Sequence, residues 1–449
     1  MLAALIATAS LGAAPGRALA AQPAEARRLP WRNWSGLQEC FPKARVAPAS
    51  VAELQEILAE ATGTLRPVGA GHSFSPLVPT DGTLISLARL SGLIHHDPES
   101  LQATRWAGTR LGDIGQPLEA AGQALENMPD VDEQALAGCL ATATHGTGAG
   151  LGCMPTSVRA LQLVTASGDI VDCDAERNPE IFRAALVSLG TLGVITQVRL
   201  QNVAPYSLRR ETVWREFDEI VEIADAMADQ HRNFEFYYIP FSGMGFTDVH
   251  DLTQEAAAST EKLDPNEGAE DLKLARDWLQ RTPKLRELIL GGYIRTLDSE
   301  VTIERSWKNY ASERNVRFNE MEYHLPREHG LAALREVRDA LETQHHEVFF
   351  PIEFRYVRGD DIWMSPFHGR DSCSIAVHRY FDEDFRPYFK TIEPIFRKYH
   401  GRPHWGKLNT LTRDELRKLY PRWDDFNTIR RELDPQGRFL NTYLAALFG

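Results

Sequence analysis

The sequence predicts an α+β protein of two domains, on three observations. Helical and strand periodicities are interleaved irregularly over residues 40–204, without the regular β-α-β alternation of a doubly wound sheet. From about residue 205 the texture changes to longer helical stretches among aromatic strands. The 449 residues also exceed a single domain of roughly 150 residues. The first domain therefore ends near residue 204 and a second begins at about 205.

At the N-terminus, residues 2–14 carry no charge and Ala18-Leu19-Ala20 precedes a polar run from Ala21. That is an apolar core with an A-x-A cleavage pattern, although nothing basic precedes Arg17. Residues 1–22 are expected to be a signal peptide and the mature protein to be exported, periplasmic or extracellular. A chain that kept the segment as an Ala-rich tail would be cytoplasmic. The stretch is shorter than the ~20 apolar residues of a membrane span, and nothing else in the chain approaches that length.

Ser50 and Glu53 form a capping box, and Val51, Leu54, Ile57, Leu58 and Ala61 recur at helical spacing, which predicts a helix over 51–62. Short strands follow at 65–68, 83–87 and 102–107, then a helix at 111–121 despite Pro117. Strands at 161–165 and 170–173 flank Ser167-Gly168, a hairpin signal, and 193–200 is a further strand. In the second domain 211–230 reads as a helix and 234–239 as a strand. Residues 251–284 are acidic and Ala-rich around Pro265 and Gly268, and read as a solvated insertion or irregular helical excursion without a catalytic role. Strands at 349–357 and 374–380 and a helix at 385–399 resume the folded pattern.

Lysine plus arginine number 49 against 62 aspartate plus glutamate, a net charge of −13 with no basic block. Nucleic acid and anionic membrane are therefore not the expected partners. Cys40, Cys139, Cys153, Cys173 and Cys373 form no C-x-x-C pair, so they read as buried thiols rather than a disulfide scaffold.

Three glycine-containing runs, one acid-base pair, a histidine and a lysine are the candidates for chemistry. Gly69-Ala70-Gly71-His72-Ser73-Phe74 directly follows a strand, where glycines let backbone N–H groups approach a phosphate. A nicotinamide fingerprint would need glycine at position 74 and a helix afterwards, and Phe74, Ser75 and Pro76 supply neither. On this motif alone His72 reads more readily as a turn histidine facing solvent. The run from Ala137 to Gly148 alternates small residues with hydroxyls and suits a large flat or phosphorylated ligand, or merely turns a corner. Ser188 to Thr196 is again a glycine turn running into a strand. Glu353 and Arg355, two apart on a strand, share a face and could grip a polyhydroxylated ring or form a cross-strand salt bridge. His378 lies on an alternating strand and titrates near neutrality. Lys407 closes His404-Trp405-Gly406-Lys407.

Taken together and in order, GAGHSF, ATATHGTG, SLGTLGVIT, EMEYHLPRE, PIEFR, RPHWGK and FLNTYL resemble the aldonolactone oxidoreductases of the vanillyl-alcohol-oxidase superfamily. That group includes D-arabinono-1,4-lactone oxidases, L-gulono-1,4-lactone oxidases and dehydrogenases, and the related alditol oxidases. The resemblance runs from Trp31 to the C-terminus. It implies the two-domain FAD-linked oxidase fold: an FAD-binding domain over 40–204, completed by 409–449, with 205–408 as the substrate-binding cap. It implies FAD joined covalently to His72, and cofactor contacts from Val68, Gly69, Ala70, Gly71, Ser73, Phe74, Asp130, Gly138, Thr142, Thr144, His145, Val194, His404 and Lys407. Ala135 stands where many relatives have serine. The implied reaction is hydride transfer from a lactone's hydroxyl-bearing carbon to flavin N5, with His378 as base, Glu353 as the runner-up, and Arg355 and Lys407 stabilising charge. Reoxidation is by O2, giving hydrogen peroxide, or by another acceptor; Pro129 falls where glycine or proline accompanies oxygen reactivity. An alditol oxidase and a non-catalytic flavin- or sugar-binding protein are the alternatives.

Overall fold

The computed structural model describes residues 29–259, 265–311 and 315–449, so the expected signal peptide lies outside the described residues. Helix Val51–Glu60 starts at the expected cap, where the Ser50 hydroxyl accepts the Glu53 N–H at 3.1 Å, and it buries Leu54 and Leu58. It packs with a three-stranded parallel sheet ordered Ala44–Val46, Thr83–Ser86, Leu65–Val68. Beside this lies a five-stranded antiparallel sheet ordered Leu93–Asp97, Gln102–Trp106, Val194–Gln201, Val158–Val164, Ile170–Asp174. Its last two strands are the hairpin signalled by Ser167-Gly168, with Gly168 at φ +89°.

The second region is built on one nine-stranded sheet in which every pairing is antiparallel. Its order is Ala258–Ser259, Glu300–Arg305, Ser207–Glu216, Met244–Thr253, Asn233–Tyr238, Ile352–Val357, Ser372–Tyr380, Phe318–Pro326, Arg402–Pro403. Alternation along the strands divides its residues between two faces. One face packs under helices Phe217–Gln230, Arg327–Gln344 and Arg386–Lys398, through residues such as Phe236, Phe354, Tyr323 and Ile375. Helix Arg327–Gln344 lies close because position 330 is glycine: a Cβ there would stand 2.1 Å from Cys373 Sγ and 2.9 Å from the Phe354 ring. The other face carries the polar residues of the site. The chain then returns to the first region, where the Leu65 N–H donates to Arg438 O at 2.7 Å and Asn441 Nδ2 donates to Pro76 O and Pro79 O, each at 2.9 Å.

Two expectations are corrected. The helix expected over 211–230 begins at Phe217, and Ser207–Glu216 is a strand held between Met244–Thr253 and Glu300–Arg305. Thr212, Val213 and Trp214 favour extended backbone, and pairing on both sides settles it. The excursion after residue 251 is more ordered than expected: helices Pro265–Leu279 and Pro283–Ile294 wall a cavity described below. All five cysteines are free and four are buried. Among the described residues no helix is long and apolar enough to cross a membrane.

Candidate active site

The loop after Leu65–Val68 borders a crevice of about 290 Å³. Val68, Gly69, Ala70, Gly71, His72, Ser73, Asp130, Gly138, Thr142, Thr144, His145, Val194, His404 and Lys407 all line it. Gly71 sits at φ +77°, with its missing Cβ 3.3 Å from the Trp31 ring, so both turn and packing require glycine there. The N–H groups of Ala70, Gly71, His72 and Ser73 have no acceptor among the described residues, and a Cβ on Gly138 would meet nothing within 4 Å. Free amides beside open space over a glycine are what a phosphate-bearing, flat cofactor requires, so the residues fit FAD. The Thr142 and Thr144 hydroxyls already donate to Gly138 O and Gln134 Oε1, at 3.2 and 3.0 Å.

His72 is no solvent-facing turn residue. It stacks on Trp34 with ring centroids 5.5 Å apart, and its Nε2 lies 3.7 Å from Glu133. Burial lowers its pKa, and the Glu133 carboxylate opposes that only in part. Phe74 differs from the expectation. It does not line the crevice: its ring is buried against Trp34 and Phe318 and lies under the Lys407 ammonium, 5.2 Å from the centroid. Its N–H is taken by Gly406 O at 2.7 Å, which turns the side chain into the core and ties the glycine loop to the lysine loop.

The polar face of the large sheet opens on a second, larger cavity of about 590 Å³ lined by Glu353, Arg355, His378 and Lys407. Asp130, Val131, Glu322, Arg355 and Lys407 border both spaces, so crevice and cavity meet there. Register explains the assembly. Glu235 pairs opposite Arg355, Tyr237 opposite Glu353, and Glu320 opposite His378, so each partner leaves the same face at the same level. Arg355 Nε donates to Glu235 at 2.7 Å, and its Nη2 reaches Asp130 at 3.3 Å and also contacts Glu353. Tyr237 OH donates to Glu353 Oε1 at 2.8 Å. Lys407 Nζ donates to Glu320 at 2.5 Å and lies 4.0 Å from Glu322. His145 Nε2 pairs with Glu322 at 2.9 Å, while its Nδ1 donates to Gly146 O at 2.8 Å.

These charges set the protonation states. Burial pushes the Glu353 carboxyl up, Arg355 opposes, and Asp130, Glu235 and Glu320 add to the rise, leaving it at about 8. Burial would make Arg355 easier to deprotonate, but three carboxylates hold its pKa well above the usual value. Burial disfavours the charge on Lys407, and Glu320 and Glu322 more than restore it. Burial would raise Glu322, yet His145 holds it well below the usual carboxylate range. His404 is pushed by burial to about 3 and accepts the Gly406 N–H on Nδ1 at 3.0 Å. Burial also lowers His378, whose Nδ1 donates to Pro351 O at 3.2 Å, so the lone pair is on Nε2.

A pH profile follows from these directions. Glu353 is neutral below about 8 and ionised above it, and its anion would join Asp130 and Glu235 in neutralising Arg355. kcat/KM is expected to fall as pH rises through about 8, and to rise on the acid side below the usual imidazole value as His378 loses its proton. Glu353→Gln keeps a neutral donor and should lose the alkaline limb. A limb of unchanged midpoint in that variant would show that another group titrates there.

Glu320, Glu322, Glu235 and Tyr237 were not among the residues expected to carry the site. Glu320 and Glu322 lie within EMEYHLPRE, two apart on a strand, and that spacing was the available signal.

Comparisons with known proteins agree with this geometry. The D-arabinono-1,4-lactone oxidase family matches residues 198–447, and an FAD binding domain matches residues 42–174. The chain is 37% identical over 436 residues to an L-gulono-1,4-lactone dehydrogenase of Mycobacterium tuberculosis, covering 93% of this chain and 99% of that one. It is 33% identical over 431 residues to L-gulonolactone oxidase of Bos taurus, covering 93% and 98%. Its fold matches a solvent-stable cholesterol oxidase with a TM-score of 0.78 at 18% identity, over 94% of this chain and 97% of that one. Family match, near full-length relatives and the joined crevice and cavity point one way, and the chain belongs to the D-arabinono-1,4-lactone oxidase family.

Proposed function

We infer that the protein oxidises a sugar 1,4-lactone, of the L-gulono, L-galactono or D-arabinono type, using FAD. The observation that carries the reading is the joint placement of Glu353, Arg355, His378 and Lys407 around the place where crevice and cavity meet. FAD bound in the crevice supplies the acceptor for a hydride leaving the substrate carbon.

The chain's own residues do the rest. His378 presents an unprotonated Nε2 to the cavity and takes the proton of the substrate hydroxyl; Glu320 Oε1, 3.7 Å away, steadies the imidazolium that results. Arg355 is held in one orientation by Glu235 and Asp130, so its positive field is fixed before substrate arrives. Neutral Glu353 donates a hydrogen bond to a substrate oxygen. Lys407 keeps positive charge at the crevice edge, where negative charge accumulates on reduction.

The substrate class is tested by steady-state turnover. kcat/KM for L-gulono-1,4-lactone should exceed that for xylitol, and the reverse order would favour an alditol oxidase. Covalent attachment through His72 belongs to the same reading: burial leaves the imidazole a lone pair at neutral pH, which bond formation to the flavin needs. Acid-precipitated, washed protein should stay yellow, and His72→Ala should release its flavin into the wash; a colourless wild-type pellet would remove the bond and leave the lactone reading intact. Pro129 borders the crevice and supports reoxidation by O2. Export of the mature chain rests on residues 2–20 alone.

A further inference from the structure

The larger cavity is two-sided, and only one side is used by the reaction. Its polar end lies over strands Ile352–Val357, Ser372–Tyr380 and Phe318–Pro326, which carry Glu353, His378 and Glu320. The sheet order then runs from Ile352–Val357 through Asn233–Tyr238 to Met244–Thr253 and Ser207–Glu216, which carry Phe246 and Trp214. At about 4.8 Å per strand those two aromatics stand roughly 10–15 Å from Glu353. There one wall is apolar, with Trp214 and Phe246 packed at 4.9 Å between ring centroids and Leu272, Ile294 and Leu297 facing them, while Arg210, Thr212, Glu300 and Thr302 line the cavity beside it. A free lactone, one five-membered ring with a short hydroxylated tail, cannot reach from one end to the other, and about 590 Å³ is the size of a site for a drug-sized ligand.

Two further observations say what the far lobe accepts. Phe246 also stacks on Tyr237, with ring centroids 4.6 Å apart, so an aromatic surface runs from Trp214 toward Glu353. Tyr293, which also lines the cavity, is 57% exposed and marks where the lobe reaches the surface. We propose that the preferred substrate is a sugar lactone bearing an aromatic acyl group on its terminal hydroxyl, with the ring seated against Trp214 and Phe246. This rests on the lactone reading and narrows it to aryl-acylated lactones. The hydroxyl that is oxidised lies at the lactone end, so the acyl group adds binding without entering the reaction.

The experiment compares L-gulono-1,4-lactone with its 6-O-(4-methoxycinnamoyl) ester on the flavin-replete enzyme. Burying an aromatic side group in such a lobe should raise kcat/KM for the ester on the order of tenfold or more over the free lactone. In Trp214→Ala and separately in Leu297→Ala, the ratio of the two values should fall toward one. A ratio at or below one in the wild type, or one that survives both variants, overturns the inference while turnover of the free lactone leaves the lactone reading standing. Failure of flavin-replete enzyme to oxidise either compound overturns both.

Discussion

Arg355→Met is expected to lower kcat/KM by about 10²–10³-fold or more, the scale of losing a preorganised charge-stabilising donor. The loss is steep because Arg355 does two jobs at once. It faces substrate where crevice and cavity meet, and it is the cation that lets Asp130, Glu235 and Glu353 share one buried region. Without it those carboxyls face one another with no counter-charge, and Glu353 is pushed still further up. Removing one partner of a buried charged set costs about 3–5 kcal/mol, so thermal melts should show a lower Tm in the same preparation that shows the lost activity. Arg355→Lys keeps the charge but cannot reach Glu235 and Asp130 as a planar fork, and should recover stability better than turnover. A Met variant within threefold of wild-type kcat/KM would remove Arg355 from the mechanism.

His378→Gln is expected to lower kcat by about 10²–10⁴-fold, the range of losing a positioned general base. Glutamine can still donate to Pro351 O, so the strand Ser372–Tyr380 keeps its local bond and flavin content should be unchanged. The acid limb of the pH profile should vanish with the imidazole. A kcat that falls only a few-fold with the acid limb still present would show that His378 is not the base.

Much of this was legible in residue order, and the part that was not has a physical cause. Helix Val51–Glu60 and strand Leu65–Val68 fell where capping and periodicity put them, because their signals are local. The glycine loop and Glu353-x-Arg355 were legible for the same reason: spacing of two on a strand fixes the face. What could not be read is which strand lies opposite. Glu235 meets Arg355 across 120 positions of sequence, and Glu320 meets His378 only through the register of Phe318–Pro326 with Ser372–Tyr380. Residues 211–216 read as the start of a helix because the strands that pair with them on both sides are distant in the chain. Phe74 belongs to a loop whose motif suggested a ligand contact, yet the hydrogen bond its N–H donates to Gly406 O turns its ring inward. The acidic composition of 251–284 spoke for a solvated excursion, while the few apolar residues on the inner side of its helices decide what the cavity is.

The most direct measurement is anaerobic addition of L-gulono-1,4-lactone to the purified holoenzyme while the visible flavin band is followed. The account predicts saturable bleaching of that band by the lactone, slowed by orders of magnitude in His378→Gln. A band that dithionite bleaches but the lactone leaves unchanged, or that only xylitol bleaches, would contradict it.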